Sequence, residues 1–357
     1  MKYSFKTQLA IFIFTIIGLS LAVHAQTNPS PAAATAPGPA TASPGATNAY
    51  VIPDDLPEVT EFRVMTCNLL NWMNTDRRIE GKHVKAAEKP QKEKDAIMAI
   101  IKKMNPDILL VQEMGNDAYF EDFCRHLDRI GWKVRGKEHI VGISPRSTIA
   151  LVSKFPIVAR SPKTADRFVI AGKEEGVQRG FIDVDIAITK DMVVKVMGAH
   201  LKSKRGETDV NSPPSLLRRR EALLLRGYMT DFMASQPNGY LVVMGDLNDT
   251  FGSEPLKTIV ATKMSEYHCY DLWLTDWAGD RWTHYYEYER EYAQIDYIIV
   301  NKNLFRHFVQ DSTKSYVYRN HPNNPEDVPW SEASDHRPVM ATFSVQPQEY
   351  VKKPRGK

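Results

Sequence analysis

The chain has 357 residues, with 46 Lys and Arg against 43 Asp and Glu and a net charge of +3. That balance excludes no anionic substrate, because a duplex-binding protein neutralises phosphates with local Lys/Arg clusters whatever its net charge. Three cysteines, Cys67, Cys124 and Cys269, allow at most one internal disulfide plus one thiol, and there is no internal repeat.

Residues 1–25 read as an export signal. Lys2 and Lys6 supply the positive start, residues 9–23 form an apolar core, and Val23-His24-Ala25 is a small-x-small cleavage site. The apolar run is shorter than the ~20 residues that span a bilayer. No cysteine follows the site to carry a lipid. The expectation is a secreted or periplasmic mature protein beginning at Gln26, without a membrane span. Residues 26–50 are Pro, Ala, Thr, Gly and Ser, too poor in apolar surface to offset ordering entropy, so a disordered linker is expected. One domain is then expected over 51–346 and a basic tail over 347–357.

Within the domain the first strand is predicted over 62–67, ending on Asn68, with Cys67 a small buried residue. A helix follows over 90–104, opened by Pro90 and stopped before Asn105-Pro106, with Ile97, Ile100, Ile101 and Met104 as its inner stripe. The strand over 108–112 ends on Glu113, a second helix covers 117–130, and a strand covers 149–153. Over 180–188, Ile182, Val184, Ile186 and Ile188 alternate with Asp183 and Asp185, which predicts a strand with one wet face. The next strand, 193–201, carries His200.

A third helix is predicted over 215–232 with Leu217, Leu224, Tyr228 and Phe232 on one face. At about 100° per residue, Arg220 and Glu221 fall near that stripe, placed to brace the His200 loop. Arg218 and Arg219 are expected on a solvated basic face. The strand over 240–245 is apolar on both faces, which suits a central position, and ends on Asp246 and Asn248. The aromatic stretch 281–292 suits either stacking on substrate or packing onto the domain. Asp296 opens the strand over 295–300, and Asp335-His336 precedes the strand over 339–345. Hairpin-like pairs mixed with helices predict α+β: two packed mixed sheets with helices outside, a four-layer α/β/β/α sandwich.

Any one polar residue at a strand end is as readily a turn or cap. Together, if the last two strands run antiparallel to the central ones, they meet at one edge of the sandwich. Six segments, MTCNLL, ILLVQEM, MGAHLKSK, VVMGDLND, QIDYIIV and ASDHRPV, span Asn68 to His336. In content and order the set resembles the motifs of the endonuclease/exonuclease/phosphatase superfamily, with its deoxyribonuclease-I-like fold. The His200-Leu201-Lys202-Ser203 form resembles pancreatic-type deoxyribonucleases, neutral sphingomyelinases and bacterial extracellular nucleases more than apurinic-site endonucleases.

A phosphodiester site must neutralise oxygens, activate water and assist the leaving oxygen. Hard oxygen donors suit Mg²⁺, with Mn²⁺ as a substitute. Glu113 is the foremost candidate ligand, Asp335 a ligand or second-site carboxylate, and the resemblance implies that Asn68 supports the metal. Asp246 is the candidate for positioning and deprotonating water, with Asn248 on a non-bridging oxygen. Asp296 behind His336 would raise the imidazole pKa and fix its tautomer. The resemblance implies that His200 donates to a phosphoryl oxygen and that Arg179 faces phosphate, an ordinary ion pair being the other reading of Arg179. Lys202, Lys204 and Arg205 are candidates for the substrate backbone. The leading expectation is a monomeric nuclease with nucleic acid as substrate. The alternatives are a sphingomyelinase-like enzyme on a lipid headgroup or small phosphoester, and an inactive binding module on the same scaffold.

Overall fold

In the computed structural model the described residues are 50–170 and 172–348, so the expected export signal, linker and most of the basic tail lie outside them. β1 (Glu61–Trp72) extends beyond the predicted strand and leads into a hairpin of β2 (Thr75–Ile79) and β3 (Lys82–Ala87). α1 (Gln91–Met104) begins after Pro90 and ends where Asn105 turns left-handed, its N–H bonded to the Ile101 carbonyl. β4 (Ile108–Met114) leads to α2 (Asp117–Arg129), whose first turn is capped by the Asn116 side chain. Next come β5 (Gly136–Ile140), β6 (Thr148–Ser153), β7 (Ile157–Arg160) and the hairpin β8 (Arg167–Ile170) with β9 (Lys173–Gly176). β10 (Phe181–Ala187), β11 (Val193–His200), α3 (Pro213–Ser235), β12 (Tyr240–Asp246), α4 (Glu254–Val260) and β13 (Cys269–Asp271) follow. A third hairpin, β14 (His284–Tyr286) and β15 (Glu291–Ala293), precedes β16 (Asp296–Asn301). α5 (Lys302–Phe305), β17 (Tyr316–Val317), α6 (Trp330–Ala333) and β18 (Val339–Ser344) complete the domain.

Two six-stranded mixed sheets result, ordered β17-β18-β1-β4-β6-β5 and β13-β16-β12-β11-β10-β7. The parallel pairs are β1/β4 and β11/β12, while β16 and β18 run antiparallel to β12 and β1. Three apolar clusters give the four layers. One packs α1 and α2 on the outer face of the first sheet, one packs α3 and α4 on the outer face of the second, and one fills the space between sheets.

The inner cluster decides where the chemistry sits. Val64, Leu110, Val196, Met244 and Ile298 belong to it. Two residues nearer one edge, on the same face, stand Thr66, Gln112, Gly198 and Asp246, and, before Ile298 in antiparallel β16, Asp296. Apolar packing therefore gives way to a polar row at one edge. Two glycines let the sheets and strands close there. A Cβ on Gly198 would lie 2.4 Å from Leu110 Cδ1, and one on Gly245, at φ +142°, would lie 1.9 Å from the Ala199 carbonyl oxygen.

Several expectations are corrected. β10 has no wet face: Asp183 and Asp185 are buried, because Lys195 on β11 donates to both, at 2.7 and 3.0 Å, beneath the Phe232 ring of α3. Arg218 is not solvated; it is buried with Glu221, Ala222 and Leu225, three, four and seven residues on, which define the inner face of α3. Arg220, expected near the inner stripe, is exposed. Cys67 is buried as expected, and all three cysteines are free thiols, so Cys124 and Cys269 do not pair.

Candidate active site

His200, Asp246 and Asp296 are register neighbours on three adjacent strands, His200 opposite Asp246 in β11/β12 and Asp246 opposite Asp296 in β12/β16. Pairing fixes their side chains on one face. Asp246 is the hub. Its Oδ2 accepts a hydrogen bond from Asn68 Nδ2 at 3.2 Å, across the gap between sheets. The same oxygen lies 3.5 Å from His200 Nε2 and 3.9 Å from His336 Nε2. Its Oδ1 accepts the Asn248 N–H at 2.9 Å. His336 Nδ1 donates to Asp296 Oδ2 at 2.8 Å.

The support is backbone-deep. Ser334 Oγ donates to the Asn68 carbonyl at 2.8 Å and accepts the His336 N–H at 3.1 Å. Thr283 Oγ1 accepts the N–H groups of Ile295 and Asp296, both at 3.1 Å. Among the described residues, His200 Nδ1 and Asp296 Oδ1 are buried without a partner. Orphaned polar atoms in a buried row are costly unless a ligand or water meets them.

Charge is distributed unevenly across this row. Burial raises the Asp246 pKa well above the usual carboxylate range, His336 opposes, and repulsion from Asp296 and Glu113 adds to the rise. Burial also opposes charge on His336, but Asp296, Asp246 and Asp335 outweigh it and hold its pKa well above that of ordinary imidazole. Burial, then Arg179, His336 and Lys202, push His200 well below, so it is neutral. The site thus pairs a charged imidazole with a reluctant carboxylate.

Glu113 sits at φ 59° in β4, where the register with both neighbouring strands shifts. A left-handed glutamate inside a strand costs on the order of 1–3 kcal/mol and persists only where its surroundings demand it. Here the Asn71 N–H, itself in a left-handed stretch with Leu70, holds Glu113 Oε2 at 3.0 Å. Burial and then the Asp335 carboxylate raise the Glu113 pKa, whereas Asp335 is held at about 2: burial works against its charge, but His284 and His336 outweigh it. A glutamate disfavoured as an anion by burial and by a neighbouring carboxylate, with an amide beside it, fits a hard divalent cation. The Asn68 amide is engaged at both ends, with Oδ1 accepting the Leu70 N–H at 3.0 Å, so it braces the carboxylates. Two other groups bring three donor atoms together, His284-Asp335-His336 and Asp246-Asp296-His336. The second is already neutralised from within by the His336 imidazolium.

Around this centre, Arg179 donates to the Leu201 carbonyl at 3.1 Å and leaves a buried Nε unpartnered. It makes no ion pair among the described residues, and its charge acts on both His200 and Glu113. Glu221 accepts the N–H groups of Gln178 (2.9 Å) and Lys202 (2.6 Å), so it braces the segments carrying Arg179 and His200. Asn248, at φ 51°, donates to the Leu201 carbonyl at 3.0 Å. Lys204 pairs with Asp249 at 3.1 Å, while Arg205 is exposed. Arg218 pins the same loop, bonding Asp249 at 2.8 Å, Glu207 at 2.7 Å and the Lys202 carbonyl at 3.2 Å.

Within the aromatic stretch one end packs onto the domain and the hairpin turn is exposed. Trp282 packs inward against Trp330 and under the Arg337 guanidinium, 3.4 Å from its ring, while Tyr288 is 93% exposed at the hairpin turn. His284 stands with its ring centroid 4.6 Å from that of His336. Ser334, Thr283 and Arg218 escaped sequence reasoning. Ser334 adjoins the Asp335-His336 pair, which was the signal available; Thr283 and Arg218 carried none.

The sequence profile of the endonuclease/exonuclease/phosphatase family matches residues 80–336. No curated protein matches the chain significantly. Among solved structures, truncated TDP2 of Caenorhabditis elegans is similar with a TM-score of 0.51 at 17% identity, over 80% of this chain and 98% of that one. An endonuclease/exonuclease/phosphatase from Bacteroides vulgatus aligns with a TM-score of 0.55 at 17% identity, over 81% and 100%. The human Nocturnin catalytic domain with bound sulfate gives 0.54 at 19%, over 80% and 94%. These likenesses carry the fold. With the profile covering most of the domain, from β2/β3 to the His336 segment, the chain belongs to the endonuclease/exonuclease/phosphatase family of phosphoester hydrolases.

Proposed function

We propose that the protein is an exported, Mg²⁺-dependent phosphodiesterase whose substrate is nucleic acid. The observation that carries this reading is the Asp246-centred row, in which a carboxylate with a raised pKa and a charged imidazole stand 3.9 Å apart at one edge of the sandwich. Asp246 takes a proton from the attacking water as the new O–P bond forms. His336, oriented and kept charged by Asp296, delivers a proton from Nε2 to the leaving oxygen as the old P–O bond breaks. His200, being neutral, keeps one ring N–H for a phosphoryl oxygen, and Asn248 and Arg179 steady the non-bridging oxygens. Glu113 and Asp335 would hold the divalent ion, which supplies Lewis-acid neutralisation of phosphate charge when bound.

The nucleic-acid assignment rests on basic groups at this edge, Arg179, Lys202 and Arg205. Lys204 contributes less than the sequence suggests, because Asp249 holds it. The test is mature protein against plasmid, single-stranded DNA, RNA, sphingomyelin and bis-p-nitrophenyl phosphate, with and without EDTA. EDTA-sensitive cleavage of nucleic acid is expected. Turnover confined to sphingomyelin or the small diester would move the assignment to a lipid or small-phosphoester enzyme. Export is read from the sequence, from the Lys2 and Lys6 start, the apolar run over 9–23 and the Val23-His24-Ala25 site. Mass spectrometry of secreted material should find Gln26 at the N-terminus, and an intact Met1 would refute it.

A further inference from the structure

We infer that the β2/β3 hairpin is a substrate arm that grips the backbone of a nucleic acid beyond the scissile phosphate, an inference that rests on the nuclease reading above. The hairpin forms its own two-stranded sheet and joins neither large one. What fixes it is its root. The Arg77 guanidinium donates to the carbonyls of Asn71 and, at 3.1 Å, Met73, and through Nε to Ala87 at 3.4 Å. Lys89, just past the hairpin, donates to the Leu70 carbonyl at 3.2 Å. Both ends are thereby clamped to the loop whose Asn71 N–H holds Glu113. Among the described residues, the hydrogen bonds from Arg77 and Lys89 to Leu70, Asn71 and Met73 tie the arm's root to this loop.

Its exposed surface carries, among the described residues, three unpaired cations against one acid at the turn, Glu80, and the engaged Asp76. Arg78, Lys82, His83 and Lys85 are all exposed. Several lysines elsewhere on the domain are satisfied: Lys92 pairs with Glu332, Lys133 with Asp128 and Lys137 with Glu121. Among the described residues Arg78, Lys82 and Lys85 pair with no carboxylate, and Arg78 only donates to the Gly81 carbonyl at 3.3 Å. Asp76, the acid within the strands, is occupied by the Ala86 N–H at 3.0 Å and His83 at 4.0 Å. Arg78 is paired with His83 in the register, on the opposite face from Arg77 and Val84. A charge run on a surface is usually just solvated. Here unpaired cations stand on an arm that belongs to neither large sheet and is rooted beside the residues that would handle phosphate. A five-residue strand reaches about 17 Å, a length over which a duplex presents roughly ten phosphates. A small phosphoester would not reach it. An anionic membrane is the other polyanion, but Val84 at 40% exposure is the arm's single large exposed apolar residue, too little for an apolar wedge.

The test is the triple variant Arg78→Gln, Lys82→Gln, Lys85→Gln, with KM on duplex DNA measured across a salt series in Mg²⁺. Each neutralised phosphate contributes about 0.9 to the log–log slope, so the variant should lose up to ~2.7 units of slope, with its Tm and its turnover of bis-p-nitrophenyl phosphate preserved. If the triple variant fails to fold, Lys82→Glu with Lys85→Glu replaces it and should raise KM several-fold at low salt. DNA cleavage with an unaltered slope overturns the arm and leaves the nuclease reading standing. Wild-type turnover of the small diester without any cleavage of nucleic acid overturns both. Sedimentation with phosphatidylserine vesicles that the triple variant abolishes, its DNA slope unchanged, overturns the arm in favour of a membrane contact.

Discussion

His336 Nδ1 and Asp296 Oδ2 meet at 2.8 Å although they stand 40 residues apart, Asp296 opening β16 of the second sheet and His336 entering β18 of the first. The contact closes the gap between sheets at the catalytic edge and makes one unit of two residues. His336→Ala and Asp296→Asn should each lower kcat/KM by about 10²–10⁴-fold. Their double variant should fall little below the worse single one, because groups acting as a unit are strongly non-additive. Losses that multiply would separate the pair and reassign His336.

The same contact sets a pH dependence. Burial disfavours charge on His336, but Asp296 leads the groups that outweigh it and raise its pKa. The proton-donating form therefore persists above the ordinary imidazole range, and activity falls as pH rises through the raised value. Asp296→Asn removes the main support, so the alkaline limb of the pH–rate profile should move to lower pH. A limb that stays in place, or moves up, would contradict the pairing.

Glu113 should govern the metal requirement. Glu113→Gln keeps shape and the Asn71 contact but removes the carboxylate charge. The Mg²⁺ concentration for half-maximal rate should rise and the maximum should fall. A metal titration superimposable on wild type would exclude Glu113 as a ligand.

Arg218 and Arg219 are adjacent in sequence and opposite in consequence. Arg218 is buried against Asp249 and Glu207, and removing one partner of a buried ion pair costs about 3–5 kcal/mol. Arg219 pairs with exposed Glu254, a surface contact of about 0–1 kcal/mol. Arg218→Ala should lower the denaturation midpoint sharply and Arg219→Ala hardly at all. Equal effects would mean that the loop after His200 does not depend on this anchor.

The sandwich was legible because β12 is apolar on both faces and because Glu113, Asp246, Asp296 and His336 fall at or near strand ends, although β1 runs past Asn68 to Trp72. Antiparallel entry of β16 and β18 then brings those ends together without further information. What escaped has physical reasons. β5, β7, β13 and β17 are short edge strands, and the hairpins β2/β3 and β14/β15 belong to neither large sheet, so none of them leaves a clear burial pattern. In α3 the expected stripe holds, with Leu217 and Phe232 buried and Leu224 and Tyr228 packed against the cluster that holds Phe232; what the leucine run hid is that Arg218 lies inward with Glu221, Ala222 and Leu225 while Leu223 is exposed. Asp183 and Asp185 look solvated until Lys195 is placed beside them.

The central claim, phosphodiester hydrolysis at the Asp246 edge, is tested most directly by one rate comparison. Metal-stripped wild type and Asp246→Asn are each assayed on plasmid DNA before and after Mg²⁺ is restored. Stripped protein should be inactive, Mg²⁺ should restore the wild type, and Asp246→Asn should remain at least about 10²-fold slower with its fold intact. Undiminished cleavage by Asp246→Asn, or full turnover by protein verified free of metal, would contradict the account.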